Sequence, residues 1–198
     1  MKWRREDFLG DAVSTAEKLI GAVLVHRSPQ GVTAGRIVEC EAYGETFEGH
    51  QDDGAHVFKG MTPRTRIIFG EGGYVYVYLI YGMYTCLNLV CGHKGESGSV
   101  LIRALEPLEG IELMKERRHQ NRMAALTSGP GRLTQAMGID RTFYGMDLTG
   151  DTLYVETREK GPFPVDVSKR VNIDYAVFGK DFPWRFTLRG SPYISKRK

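Results

Sequence analysis

Cysteine is scarce in this chain. Cys40, Cys86 and Cys91 are an odd number, so no framework of paired disulfides is expected. Cys40 and Cys86 sit in apolar alternating runs, as reduced core residues do in a reducing compartment. Metal-binding spacing is also missing. Cys86, Cys91 and His93 form no CxxC-type pair, and His50 and His56 with Asp52 and Asp53 match no standard zinc pattern. Neither a metal nor a cofactor is expected. No apolar run approaches membrane-spanning length, and the charged opening from Met1 to Asp7 does not read as a signal peptide. The expectation is a protein that is neither secreted nor membrane-bound. Charge of one sign is lacking too: 27 Lys and Arg against 24 Asp and Glu leave +3 and a pI near 8.7. That balance permits nucleic-acid binding without arguing for it. No repeat, low-complexity tract or composition shift divides the 198 residues, so one domain over 1–198 is expected.

Tyrosine is abundant in one place. From Tyr74 to Val90 the chain alternates, breaks at Gly82 and alternates again, with five tyrosines along the way. Aromatic and β-branched residues on both sides of a glycine predict a β-hairpin. A flat ring with a polar tip suits this ribbon to stacking on other flat groups. Val75, Val77 and Leu79 read as its core-facing side. Elsewhere Asp11 can cap a helix through Ile20 with Gly21 as its stop. Strands are expected over Ala22–Val25, Ala34–Ala42 and Ser99–Leu105, and helices over Pro107–Arg122 and from Gly129-Pro130 to Met137. Between Gly44 and Arg66 the pattern is lost, as in an irregular and functional loop. The last residues, Ser195-Lys196-Arg197-Lys198, are basic. The fold class is α+β: a compact, mostly antiparallel curved sheet with flanking helices and a protruding hairpin.

Strand alternation over Arg36–Tyr43 places Val38, Cys40 and Ala42 on one face and Glu39, Glu41 and Tyr43 on the other. Two carboxylates beside a ring can do general acid/base work; the plainer reading is a solvated polar face. Arg103 lies in an apolar strand and needs a partner, because an unpaired buried charge costs several kcal/mol. A glutamate on a neighbouring strand would serve, as a structural ion pair or to keep Glu41 ionised while it deprotonates a water. The kinked basic stretch Lys59–Arg66 suits phosphate contacts.

Taken together these segments resemble the alkyladenine (methylpurine, 3-methyladenine) DNA glycosylases. The resemblance rests on Arg36–Tyr43, Ala55-His56, Thr62-Pro63-Arg64, the ribbon from Tyr76 to Asn88, Leu101–Pro107, Ser128-Gly129-Pro130 and Arg189–Pro192, in that order. It runs from near Phe8 to Ser195. It implies that Glu41 activates the attacking water, with Arg103 and the backbone carbonyl of Val171 beside it. Tyr43, His56 and Tyr78 match the rings that sandwich the flipped base. Tyr81 matches the residue that fills the gap left in the duplex, and Asn88 the residue that opposes guanine's exocyclic amine. Thr62, Arg64 and Arg132 are the phosphate-contact candidates. The implied activity is monofunctional excision of alkylated or deaminated purines from double-stranded DNA by a monomer, in the cytoplasm or nucleoid of a bacterium or the nucleus of a eukaryote.

Three departures from the family pattern stand out. The interval from Tyr43 to His56 is longer, which leaves His50 as an alternative for the stacking role. Thr65 stands where an asparagine is usual. Asn172-Ile173-Asp174 replaces a glycine-rich stretch beside Val171. Two rivals use the same residues. A non-catalytic nucleic-acid binder would gain nothing from a carboxylate at Glu41, which repels phosphate. A carbohydrate hydrolase using Glu39 and Glu41 would hold both on the same side of its substrate, a poor arrangement for flanking a bond.

Overall fold

The computed structural model describes residues 1–157 and 163–195. The basic tail at 196–198 lies outside the described residues. The first helix, α1 (Ala12–Leu19), starts where the Asp11 carboxylate accepts from the Ser14 amide, as the sequence predicts. It stops at Leu19, and Gly21 takes φ +88° to turn the chain into the sheet.

β1 (Val23–Ser28) and β2 (Gly31–Tyr43) form an antiparallel pair and run longer than their apolar alternation suggests. The stretch expected to be irregular contains a small ribbon of β3 (Thr46–Phe47) and β4 (His50–Gln51). The tyrosine-rich ribbon is β5 (Val75–Ile80) and β6 (Tyr84–Cys91), joined by Tyr81-Gly82-Met83. β7 (Gly98–Glu109) is longer than expected and α2 (Ile111–Arg118) shorter. Pro107, expected to open the helix, lies inside β7 opposite Gly35, next to a register shift between Ala34 and Gly35. Such an irregularity tolerates a residue with no N–H to donate. The helix begins only after Gly110. α3 (Pro130–Met137) matches its expected bounds, with Pro130 at its first turn and Gly138 in the left-handed region at its end. β8 (Leu153–Glu156), β9 (Val165–Ser168) and β10 (Arg185–Leu188) complete the elements.

The strand order β5-β6-β7-β2-β1-β8 is antiparallel throughout, and β10 pairs with both β2 and β9. This is the expected α+β class. One sheet face carries the main core, including Phe8, Leu19, Ile37, Cys40, Leu87, Ile102 and Leu133. A second cluster of Ala55, Val57, Ile68, Tyr76 and Val90 seats the loop after β4 on the β5–β6 hairpin. Val75 and Val77 are core residues as expected, but Leu79 is exposed because the hairpin has by then run past the core.

Two register shifts lie where β2 meets β7. Ile37 pairs with Leu105 and Glu39 with Ala104, so β2 holds an extra residue at Val38. Cys40 then pairs with Ile102, so β7 holds an extra residue at Arg103. Each extra residue shifts the alternation by one. Ile37, rather than the expected Val38, therefore joins Cys40 and Ala42 in the main core.

The opposite face is not solvated. Glu39 and Glu41 are both fully buried. Arg103 Nε and Arg185 Nε donate to Glu39 Oε1 at 2.9 and 2.8 Å. The Ser195 amide and hydroxyl donate to the same carboxylate at 2.6 and 2.8 Å. Burial pushes the Glu39 carboxyl up, but Arg103, Arg185 and the Ser195 bonds outweigh it and hold it below its ordinary value. This cluster ties β2, β7, β10 and the chain end together.

Glu39→Gln removes one charge from a buried cluster and should lower the unfolding free energy by about 3–5 kcal/mol. Because the folded-state value lies below the ordinary 4.5, the stabilisation is complete above that pH and drains as pH falls through the folded value. Urea titrations from neutral to acid pH would check both points. A loss under about 1 kcal/mol, the range of exposed pairs, would contradict the buried-cluster reading.

Candidate active site

Glu41 and Tyr43 sit at the end of β2, on the face opposite the main core. Three groups converge on the Glu41 carboxylate. The Val171 amide donates to Oε1 at 2.8 Å. The Tyr43 hydroxyl donates to Oε2 at 2.8 Å, and Arg103 Nη1 reaches the same oxygen at 3.3 Å. Arg103 thus bridges both glutamates. Burial and the nearby Glu41 charge push the Tyr43 phenol well above its ordinary value, so Tyr43 stays a protonated donor. The Val171 contact to Glu41 is made by its N–H.

The rings come next. His56 and Tyr78 meet edge to face with centroids 4.6 Å apart. His56 Nδ1 lies 2.9 Å from the Tyr76 hydroxyl in a hydrogen bond. Burial, helped by the Arg64 charge, lowers the His56 pKa from its ordinary value, so the imidazole is neutral at pH 7. His50 sits elsewhere, stacked on Phe178 at 4.0 Å. Of the two histidines the sequence left open, only His56 touches Tyr78. Asn88 is buried in β6, and its Nδ2 donates to the Tyr76 carbonyl at 3.3 Å.

The remaining sequence-predicted residues lie at the hairpin turn, in the loop before Arg66 and in α3. Tyr81 is 79% exposed at the hairpin turn with φ 54°, held out from the core. Thr62 and Thr65 cap one another: the Thr62 amide donates to Thr65 Oγ1 at 2.9 Å and the Thr65 amide to Thr62 Oγ1 at 3.2 Å. Threonine thus ties the loop at this position. Arg64 is exposed, and Arg132 lies in the first turn of α3 with Nη1 donating to the Ser128 carbonyl at 3.2 Å.

Sequence reasoning missed Arg170 and Asp52 as partners. They form a fully buried ion pair directly behind Tyr43. Arg170 stands next to Val171, but nothing in the spacing joins it to an aspartate 118 residues away. Asp52 and Asp53, weighed as metal ligands, are committed to Arg170 and to the amides of Val177, Phe178 and Gly179. Among the described residues, no group of three or more His, Cys, Asp or Glu side chains is arranged to hold a metal ion. Chemically, the site offers a shielded carboxylate with two firm donors and an arginine, beside aromatic faces able to hold a flat group.

The His56 pKa is directly measurable. Its NMR titration midpoint should lie below 6.5, and Arg64→Gln should move it upward by removing a nearby positive charge. A midpoint at or above 6.5, or one indifferent to Arg64→Gln, would contradict this electrostatic picture.

Comparisons with known proteins place the chain among relatives. The model of the methylpurine-DNA glycosylase family matches residues 6–192. A Clostridium acetobutylicum protein named "Putative 3-methyladenine DNA glycosylase" is 44% identical, covering 100% of this chain and 99% of its own. Proteins of the same name from Desulfitobacterium hafniense and Methanoculleus marisnigri are 42% and 44% identical, covering 96% and 94% of this chain and 97% and 95% of their own.

Proposed function

The chain belongs to the methylpurine-DNA glycosylase family, and on that premise we propose how its residues excise a base. It is a DNA glycosylase of DNA repair, a hydrolase of the N-glycosidic bond. Among the described residues no helix is long and apolar enough to cross a membrane. The substrate is a duplex carrying an alkylated or deaminated purine. The whole of 1–198 acts on it as one domain and as a monomer, where the genome is kept.

A base inside a duplex hides its glycosidic bond, so it is first extruded. Tyr43, His56 and Tyr78 receive it. Aromatic stacking contributes roughly 1–3 kcal/mol per base, enough to offset unstacking at a damaged pair. A neutral His56 suits a cationic alkylpurine, because a charged imidazole would repel it. Asn88, held through Nδ2 by the Tyr76 carbonyl, discriminates against guanine's exocyclic amine. Tyr81 fills the gap in the helix, and Thr62, Arg64 and Arg132 contact phosphates.

Glu41 then takes a proton from water as the water attacks the sugar carbon and the base leaves with the bonding electrons. The transition state has oxocarbenium character, as in other glycoside hydrolyses. The observation that carries this reading is the Glu41 carboxylate itself: fully buried, aimed by the Val171 amide and the Tyr43 hydroxyl, with Arg103 beside it. The family resemblance gives the Val171 carbonyl a share in holding the water, while its amide aims the carboxylate. The motifs offer no amine as a Schiff-base nucleophile, so excision stops at the abasic site without strand cleavage.

Glu41→Gln keeps the shape but cannot accept the proton. Single-turnover base release from alkylated duplex should fall about 100-fold or more, with lesion-DNA binding nearly intact. A rate within a few fold of wild type would move the catalytic role away from Glu41.

Tyr81→Ser should slow excision from duplex more than from single strands. Serine cannot replace the stacking area lost when a base leaves the helix, worth a few kcal/mol per step, and a single strand does not need it. Equal losses on both substrates, with a matching fall in melting temperature, would mean that Tyr81 only supports the turn.

A further inference from the structure

We propose that the buried Arg170–Asp52 ion pair is a positioning device that sets the Tyr43 ring, the His56 segment and the Val171 amide relative to Glu41. The inference rests on the catalytic reading above and names residues that reading does not use.

The pair is bidentate. Arg170 Nη1 donates to Asp52 Oδ2 and Nη2 to Oδ1, both at 2.6 Å, with both side chains wholly buried. Each partner also holds backbone. Nη1 donates to the Ala42 carbonyl and Nη2 to the Gly179 carbonyl, each at 2.9 Å. Asp52 accepts from the Gly44 amide and from the Gly54 amide, each at 3.0 Å. Ala42 and Gly44 flank Tyr43, Gly54 precedes Ala55-His56, and Val171 follows Arg170. One ion pair therefore grips the chain on both sides of one base-stacking ring, just ahead of the second, and just ahead of the amide that aims the carboxylate.

The surroundings are shaped to it. The guanidinium lies over the Tyr43 ring, 4.4 Å from its centroid, with Trp184 and Phe182 rings at 5.2 and 5.8 Å. A Cβ at Gly179 would come within 2.6 Å of Asp52 Oδ1, and one at Gly54 within 3.2 Å of both partners. Two side-chain-free positions thus make room for the pair.

Stability alone does not explain such a pair. Desolvating two charges offsets most of their attraction, and well-packed apolar replacements are often neutral or stabilising. A planar fork does what apolar packing cannot: it sets several backbone groups and a ring to one geometry. Reacting groups need that accuracy, since a displacement near 1 Å can cost about 100-fold in rate.

Two variants separate positioning from mere support. Arg170→Lys keeps a cation for Asp52 but cannot form the fork, hold both carbonyls or lay a plane on Tyr43. The double variant Arg170→Met with Asp52→Leu removes both charges together, so no buried charge is left uncompensated, and its melting temperature should fall only by what the four freed backbone groups cost. In each, single-turnover base release at saturating enzyme should fall on the order of 10- to 100-fold. Affinity for undamaged duplex of the same length should stay within about threefold, because no phosphate contact is lost. Should the double variant fail to fold, Arg170→Lys decides alone. Base release within about twofold of wild type in a folded variant would overturn the proposal, as would a loss of undamaged-duplex affinity that matches the loss in rate. Wild-type protein releasing no base from alkylated duplex would overturn the proposed function instead.

Discussion

Glu39 and Glu41, two residues apart on one strand, are both taken out of water, and the rest of the site follows from how that is made tolerable. A buried carboxylate needs opposite charge and hydrogen bonds at close range. Arg103 supplies charge to both, at the junction where β2 and β7 each carry one extra residue. Without those shifts the strand alternation would run unbroken through Arg103. β10 adds Arg185, and the chain end adds Ser195. The two glutamates then differ in kind. Glu39 is saturated by four close donors and anchors strands, while Glu41 is held by the Val171 amide, the Tyr43 hydroxyl and a longer contact to Arg103.

The sheet keeps its two faces for different work. One carries the apolar core, with α1 against β2 and β7 and α3 against β6 and β7. The other carries the charges and rings of the active site. Precision there comes from strands and from the buried Arg170–Asp52 clamp, so the long segment between β2 and β5 can present His56 accurately although little of it is regular. The hairpin does the opposite at its far end. Tyr81, Met83 and Tyr84 are exposed, and Tyr81 sits at positive φ next to Gly82. Exposure of this kind suits the entry into a duplex proposed for Tyr81.

Much of this was legible from residue order. Local chemistry dictates the Asp11 cap, the start of α3 at Pro130 and the β5–β6 ribbon around Gly82, because each depends on neighbours in sequence. The resemblance carried by Arg36–Tyr43, Tyr76–Asn88 and Leu101–Pro107 pointed to a family and to a set of site residues, since contiguous motifs survive as strings. The bounds of β7 and α2 were not legible. Pro107 signals a helix start locally, and only its position opposite Gly35 beside a bulge makes it a strand residue.

By itself the sequence determined the α+β class, the tyrosine ribbon, the family and the residue types available for chemistry. Tertiary structure alone decided which of them meet. Alternation placed the glutamates on a polar face that looked open to solvent, but β7, β10 and the chain end close over it. It also decided that His56 rather than His50 meets Tyr78, and that Asp52 pairs with an arginine 118 residues away. The physical reason is the same in each case. Burial and charge pairing depend on what other segments bring to a residue, and strand register sets that across the whole sheet, where a shift of one residue turns a side chain to the other face.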